Sequence, residues 1–311
     1  MAGASVLILT LNEEENLPRC LDSLKWCDDV VVFDSYSTDK TLEIAAAAGA
    51  RVVQRRFDNW CTHQNWAMQN IEYRHPWVFY IDADEVMTPE LAAEVQRVCA
   101  GEDGGHAAFR VRRKDTFWGT WLRRSSMYPI WLTRLFLPAK VRWERLVNPV
   151  AVVDGPIGNL QEHLIHYSFN KGLEPWIAKH IKYARFEAEE ATKPDRPPVD
   201  LRALLSWGDP VARRKTLKEL SFRFPCRPLL RFIYMYVLRR GFLDGWRGLT
   251  YCRLISMYEH MIDLNVREIR QRRSNRPVEG FGELRNGFDA HPYTERGVQP
   301  PRMPRLTQVV R

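Results

Sequence analysis

Asp82, Asp84 and Glu85 are the residues best placed to do chemistry in this chain, because of what precedes them. Trp77-Val-Phe-Tyr-Ile81 is a nearly continuous apolar run, the pattern of a strand buried on both faces of a parallel sheet. It stops at Asp82, so three carboxylates crowd one strand end. Like charges there repel unless a cation or hydrogen-bond donors offset them. In open α/β sheets this edge is where ligands bind. A divalent metal holding a diphosphate would satisfy the group. Asp29-Val-Val-Val-Phe-Asp34 repeats the arrangement, and Ser5-Val-Leu-Ile-Leu-Thr10 ends on a hydroxyl. No GxGxxG follows the first strand and no GxxxxGK[ST] occurs, which disfavours the usual dinucleotide fold and P-loop kinases.

The elements that must hold these residues follow in order. Leu11–Asn16 reads as a turn ending in a cap, with Leu17, Cys20, Leu21 and Leu24 at helical spacing after it. Ser35–Thr41 opens a helix through Ala48 that Gly49 stops, and Arg51–Gln54 is a third strand. Cys61–Ile71 is a helix with a polar face carrying His63, Gln64 and Asn65. Thr88-Pro89-Glu90 gives a cap, a first-turn proline and an acidic first turn. Strand–helix alternation over the first hundred residues predicts a doubly wound parallel sheet with right-handed crossovers. Ala107–Arg113, Phe117–Trp121 and Trp131–Phe136 add a small mixed-strand extension. Lys171–Ala191 is a helix, Lys193–Pro198 a linker, and helices are predicted over about 210–222, 228–240 and 246–271.

The formal charge of +8 is unevenly spread. Residues 201–311 hold 22 Lys/Arg against 10 Asp/Glu, leaving residues 1–200 net acidic. A basic carboxyl-terminal third implies an anionic partner such as a membrane surface; no recognition-helix, RRM-like or zinc-finger signature points to nucleic acid. Arg227–Arg240 mixes bulky apolar and aromatic residues with arginines, is too short to span a bilayer, and suits its interface; ordinary packing on the preceding domain is the competing reading. Residues 275–311 read as a disordered tail. Six cysteines form no CxxC pair or regular framework, which fits a reduced compartment. With neither a signal-peptide pattern nor a run of about 18 apolar residues, the expectation is a cytoplasmic protein, peripheral on the inner face of the cell membrane.

Leu9-Thr-Leu-Asn-Glu-Glu-Glu-Asn-Leu17, Phe33-Asp-Ser-Tyr-Ser-Thr-Asp-Lys-Thr41, Gln64-Asn65 and Ile81-Asp-Ala-Asp-Glu85 together resemble family 2 inverting glycosyltransferases of the GT-A fold. The likeness is greatest to the lipopolysaccharide-core β-glycosyltransferase group. It implies an α/β fold: a GT-A-type doubly wound, mostly parallel sheet with a mixed-strand extension and a carboxyl-terminal amphipathic helical region. The catalytic domain would cover 1–192, a membrane-associating helical region 193–274. By the resemblance, Thr10, Glu13, Gln64 and Asn65 lie near the nucleotide, Asp34 accepts from its base, and Asp82 lies near ribose and sugar. Asp84 would coordinate Mg2+ or Mn2+ with His166, and Arg134 would reach a phosphate. Each role has a plain competitor: a helix cap for Asp34, solvated loop acids for Asp82 and Asp84, a helix-start acid for Glu13. For Gln64 and Asn65 it is an exposed helix face, for Arg134 an ordinary strand-end arginine, for His166 a hydrogen-bonded strand-end histidine.

Two positions depart from the resemblance. Related enzymes read Val-His-Glu where this chain has Asn148-Pro149, and proline can neither take a proton nor donate one from its backbone. Glu144 is the nearest upstream substitute for the catalytic base, with a solvent-facing strand position as its alternative. Ile130 stands where the group has an aspartate after Tyr-Pro. The sequence therefore points to metal-dependent transfer of a sugar from a nucleotide-diphosphate donor to a lipid-linked or lipopolysaccharide-type acceptor. A catalytically impaired, membrane-associated binding or scaffold module is the alternative. A nucleotidyltransferase ranks last, because Leu11–Glu15 is acidic where such enzymes carry a glycine-rich basic loop.

Overall fold

The computed structural model describes residues 3–145, 148–193, 216 and 226–274. Among them, nine strands form one sheet and two more form a hairpin. The chain runs β1 (Ala4–Thr10), α1 (Leu17–Asp22), β2 (Val30–Asp34), α2 (Thr41–Ala47), β3 (Arg51–Gln54), α3 (Trp60–Asn70) and β4 (Trp77–Asp82). These are followed by β5 (Glu85–Met87), α4 (Pro89–Cys99), β6 (Ala108–Phe117), β7 (Thr120–Trp121), β8 (Ile130–Phe136), β9 (Val141–Glu144), β10 (Val150–Val153), β11 (Ile157–His166) and α5 (Leu173–Ala191). After the undescribed stretch come α6 (Arg227–Ile233) and α7 (Gly245–Arg273).

Sheet order is β3-β2-β1-β4-β8-β6-β11-β5, with β7 on β6. The first four strands are parallel, as their continuous apolar runs require; β8 is antiparallel to β4 and to β6, and β11 runs parallel to β6. The carboxyl ends of β1, β2, β4, β6 and β11 therefore share one edge of the sheet. Register sets Thr10 opposite Asp34 and Leu9 opposite Asp82. One apolar layer packs Val6, Ile8, Phe79 and Ile81 against α1 and α4. The other packs Leu7, Phe33, Val78 and Tyr80 under α3 and the β9–β10 hairpin.

Local chemistry accounts for the element ends. Thr88 Oγ1 accepts from Leu91 N at 3.2 Å and Pro89 follows it, so α4 starts as expected. Gly49, at φ 74°, ends α2. Asn16 departs from expectation. Its side chain does not cap α1 but holds Glu13 and Asn170. The helix predicted over 228–240 is also broken: α6 gives way to a π turn at Tyr234–Leu238 and a 3-10 turn at Gly241–Asp244. A Cβ on Gly241 would lie 2.6 Å from the Met235 carbonyl oxygen, so this tight corner needs a residue without one. The predicted 210–222 helix (Thr216 apart), the 193–198 linker beyond Lys193 and the 275–311 tail lie outside the described residues.

Residues 1–267 form one compact unit and 268–311 a second. Within the first, α6 and α7 are docked by chemistry as well as by packing. Asp244 Oδ2 accepts from Arg124 N, Ser125 N and Ser125 Oγ, at 2.9, 2.8 and 2.7 Å. Arg239 donates to the Tyr128 carbonyl at 2.7 Å. Phe117, Leu122, Phe169 and Trp176 build a third small core with Tyr251 and Leu254 of α7.

Candidate active site

The loops after β1 and β2 are laced together by hydrogen bonds. Asp34 is fully buried: its Oδ1 accepts from Thr10 Oγ1 at 3.0 Å and Ser37 Oγ at 2.5 Å, and its Oδ2 from Ser37 N at 2.9 Å and Gln54 Nε2 at 3.1 Å. Asn12 Oδ1 accepts from Thr38 N at 2.8 Å, while Ser37 Oγ accepts from Asn12 N at 2.8 Å. Asn12 and Tyr36 adopt φ values of 55° and 65°, left-handed conformations that L-residues hold only when their surroundings impose them. The result is a stiff cradle with Leu11 and Tyr36 exposed on its rim. Glu13 pairs with Lys171 at 2.7 Å; burial raises its carboxyl, with Asp84 contributing in the same direction.

The second half of the site is a charged cluster at the carboxyl end of β4. Arg134, 4% exposed, reaches Asp82 Oδ2 at 2.7 Å and Glu85 Oε1 at 2.6 Å, and lies 4.4 Å over the Tyr80 ring. The Tyr80 hydroxyl donates to the other Asp82 oxygen. Asp82 is thus oriented by its own chain, and Arg134 is spent on two carboxylates. Asp84 stands apart from that pair and turns toward His166, with Oδ2 3.3 Å from Nε2. On the other side of the ring, Nδ1 is 2.6 Å from Asp115 Oδ1. Burial alone would raise the Asp84 carboxyl, yet His166, Lys179 and Arg113 hold it far below the usual carboxylate range. Burial and Arg113 oppose charge on His166, but Asp84 and Asp115 push it up to about 9.

Asp84 is suited to a hard divalent ion, and His166 could join it once the ion displaces the proton that Asp84 and Asp115 hold on the ring. A carboxylate and an imidazole converge at an edge where each keeps some exposure, 18% and 13% of the side chain. Asp115 fixes the ring orientation, as outer partners of metal-binding histidines do. Among the described residues no three such side chains form a complete cage. Mg2+ or Mn2+ in phosphate-transferring sites characteristically takes one or two protein ligands and completes its shell from substrate phosphates and water, which is what this pair offers.

The remaining predicted residues fall outside that pair. Asn65 is a clamp between elements: Oδ1 accepts from Trp143 N at 2.7 Å and Nδ2 donates to Trp143 O at 2.9 Å, mooring α3 to β9. Gln64 is buried, and its Oε1 has no hydrogen-bond partner. Beside it His63 stacks on Phe33, with ring centroids 4.1 Å apart. Glu144 takes the solvent side of β9, opposite Trp143, where Arg142 pairs with it at 3.1 Å. The carboxylate that Arg145 and Asn148 do meet is Glu187 of α5, 2% exposed, which accepts from Asn148 Nδ2 at 2.7 Å and Arg145 Nη2 at 3.0 Å.

Sequence reasoning passed over Asp115, Arg113 and Glu187. Asp115 and Arg113 lie on one strand face two residues apart, so a charged alternation inside a strand was their only signal. Glu187 had none beyond lying four residues after Tyr183 on the helix whose Lys179 feels Tyr183, Asp84, Asp82 and Glu13.

Residues 5–158 match the family described as Glycosyl transferase family 2. An uncharacterized glycosyltransferase of Rickettsia felis is 33% identical over 267 residues, covering 80% of this chain and 83% of that protein. The lipopolysaccharide core biosynthesis glycosyltransferase LpsC of Rhizobium meliloti is 26% identical over 201 residues, 62% of this chain and 73% of that protein. Among solved structures, Staphylococcus aureus TarS 1–349 overlays with a TM-score of 0.42 at 15% identity, covering 88% of this chain and 92% of that one.

Proposed function

We propose, from the premise that the chain belongs to glycosyl transferase family 2, that it moves a sugar with inversion from a nucleoside-diphosphate donor to a lipid-linked or lipopolysaccharide-type acceptor. The observation that carries this reading is Asp84, set against an oriented His166 at the strand edge beside the Thr10–Asp34 cradle. The loops after β1 and β2 would receive the nucleoside, and the Asp84–His166 pair would hold Mg2+ or Mn2+ across the diphosphate. Such an ion supplies charge stabilisation for the departing nucleoside diphosphate. Asp82, pinned by Arg134 and Tyr80, presents a fixed acceptor to donor hydroxyls. Lys179 and Lys171 add positive field at the leaving-group side. The acceptor hydroxyl attacks the anomeric carbon in line, loses its proton to a carboxylate, and the sugar–phosphate bond breaks as the new glycosidic bond forms.

The acceptor's lipid character is supported by exposed apolar residues on α6, on the turns after it and at the start of α7. Leu229, Val237, Leu238, Phe242, Leu243 and Trp246 are all exposed, Leu238 by 69%, as is Arg240. Among the described residues no helix is long and apolar enough to cross a membrane. This surface suits the interface of an anionic bilayer, and the protein would work there on the cytoplasmic side, peripherally.

A thermal-shift series over nucleoside diphosphates and nucleotide sugars, with and without Mn2+, tests the donor half. At about 100 times Kd a true donor adds about 2.7 kcal/mol. One base should dominate, the shift should need Mn2+, and Asp84→Ala should abolish it. Tight metal-independent binding in that variant would sink the assignment. The exposed, Arg142-paired Glu144 favours a second reading, a binding module impaired in transfer. Sugar transfer or donor hydrolysis by the purified protein with metal and a lipid extract would dispose of it.

A further inference from the structure

Side chains alternate along β6, so Val111, Arg113 and Asp115 face the charged cluster while Arg110, Arg112 and Lys114 share the opposite face. Cross-strand register brings Trp131 of β8 and His163 of β11 level with Arg112. Arg112 lies over the Trp131 ring at 5.6 Å, while Lys114 and Arg123 both lie over Trp121, at 4.5 and 4.7 Å. Three cations thus converge on two indoles. None of the three forms an ion pair among the described residues, and Arg112 Nε is buried without a hydrogen-bond partner. Elsewhere in the molecule, buried or half-buried arginines such as Arg51, Arg113, Arg134 and Arg145 each meet a carboxylate. Glu162 offsets Lys114 only in part. Burial, Arg112 and Arg123 hold the lysine below its ordinary value, and His163 is likewise held down, so it adds no charge near neutrality.

We infer that this face is a binding site for the phosphate groups of a multiply phosphorylated ligand, and that the ligand is the acceptor. Residues two apart on a strand stand roughly 7 Å from each other, a spacing that suits several phosphates on one sugar or headgroup rather than a single anion. Guanidinium forks match phosphate oxygens in pairs, and the indoles hold the cations in place while they wait unpaired. Lys114 lies near the same sheet edge as Asp84 and His166, so a ligand held here can present a hydroxyl around that edge. The acceptor assignment rests on the glycosyl-transfer reading above; phosphate binding does not.

Isothermal titration with inositol hexakisphosphate, a soluble probe, tests it on the full chain, beside vesicles of phosphatidic acid in phosphatidylcholine. Arg112→Gln/Lys114→Gln should weaken binding of at least one probe about tenfold or more. Lys25→Gln/Arg97→Gln, which removes the same charge from distant surface pairs, should leave both probes bound. Loss with the soluble probe alone assigns the phosphates to a free glycan, and loss with vesicles alone assigns them to a headgroup. Equal weakening by both variants, or no binding to either probe at low salt, overturns the inference. Mn2+-dependent nucleotide binding, read in the same samples, reports separately on the donor site and should be unchanged in both variants. Thermal melting of each variant confirms that it folds.

Discussion

Replacing Arg134 by methionine should destabilise the protein in a way that depends on pH. Arg134 is 4% exposed and its Nη2 serves Asp82 and Glu85 at 2.7 and 2.6 Å, while Glu85 is fully buried. Methionine fills most of the volume, so the loss is mainly electrostatic. The nearest other cation is Arg113, 3.5 Å from Glu85 and already paired with Asp115 at 2.9 Å. Removing one partner of a buried pair costs about 3–5 kcal/mol. With a urea slope of about 3 kcal/mol/M, the unfolding midpoint drops by roughly 1–1.7 M. Burial already raises the Glu85 carboxyl, and losing Arg134 raises it further. A carboxyl whose folded pKa exceeds its unfolded value binds more protons when folded, so stability falls as pH rises through that window. The cost of Arg134→Met should therefore be larger at about pH 8 than at about pH 5. Adding Glu85→Gln should return part of it. A midpoint shift below about 0.3 M, or an equal loss at both pH values, would refute the buried-pair account.

Two further outcomes follow from other parts of the molecule. Burial, helped by Arg55, pushes His63 down to about 4. The unfolded chain takes up its proton near pH 6.5, so this group's contribution is complete above about 6.5 and is lost as pH falls toward about 4, by up to ~3 kcal/mol. His63→Gln should flatten the urea-stability profile across that window; an unchanged slope would exclude His63 as its source. Leu238→Glu/Leu243→Glu changes two exposed side chains, so melting should hold. Each lost leucine insertion forfeits on the order of 1–2 kcal/mol, and sedimentation with phosphatidylglycerol vesicles should weaken at least tenfold. Undiminished sedimentation would remove this surface as the membrane contact.

β1, β2 and β4 were legible because strands buried on both faces leave unbroken apolar runs that end abruptly on polar residues. The carboxylates at those ends could be named for the same reason. β6 was harder. The strand reads over Ala107–Arg113 and stops short of Phe117, since Lys114 and Asp115 continue the charge of Arg112 and Arg113 on both faces and erase the alternation that marks a half-buried strand. Asp115, which orients His166, was lost with it. Glu85 reads in sequence only as the third carboxylate at the strand end, yet it opens β5 and is fully buried, because Arg134 arrives from a strand nearly fifty residues later. Such long-range pairings leave no local trace. The same holds for Glu187, which Arg145 and Asn148 reach across 42 and 39 residues of sequence.

The bond from Asn65 to both backbone atoms of Trp143 has a consequence for substitution at that site. A primary amide presents an adjacent donor and acceptor in a single plane, as a peptide unit does. Aspartate has the length but no donor, and its charge would face the Trp143 carbonyl. Glutamine has the group but one methylene too many. The position is consequently restricted by the hairpin it fastens. A family profile that recorded only asparagine there would be measuring mechanical assembly, and a screen for altered donor preference should leave position 65 alone.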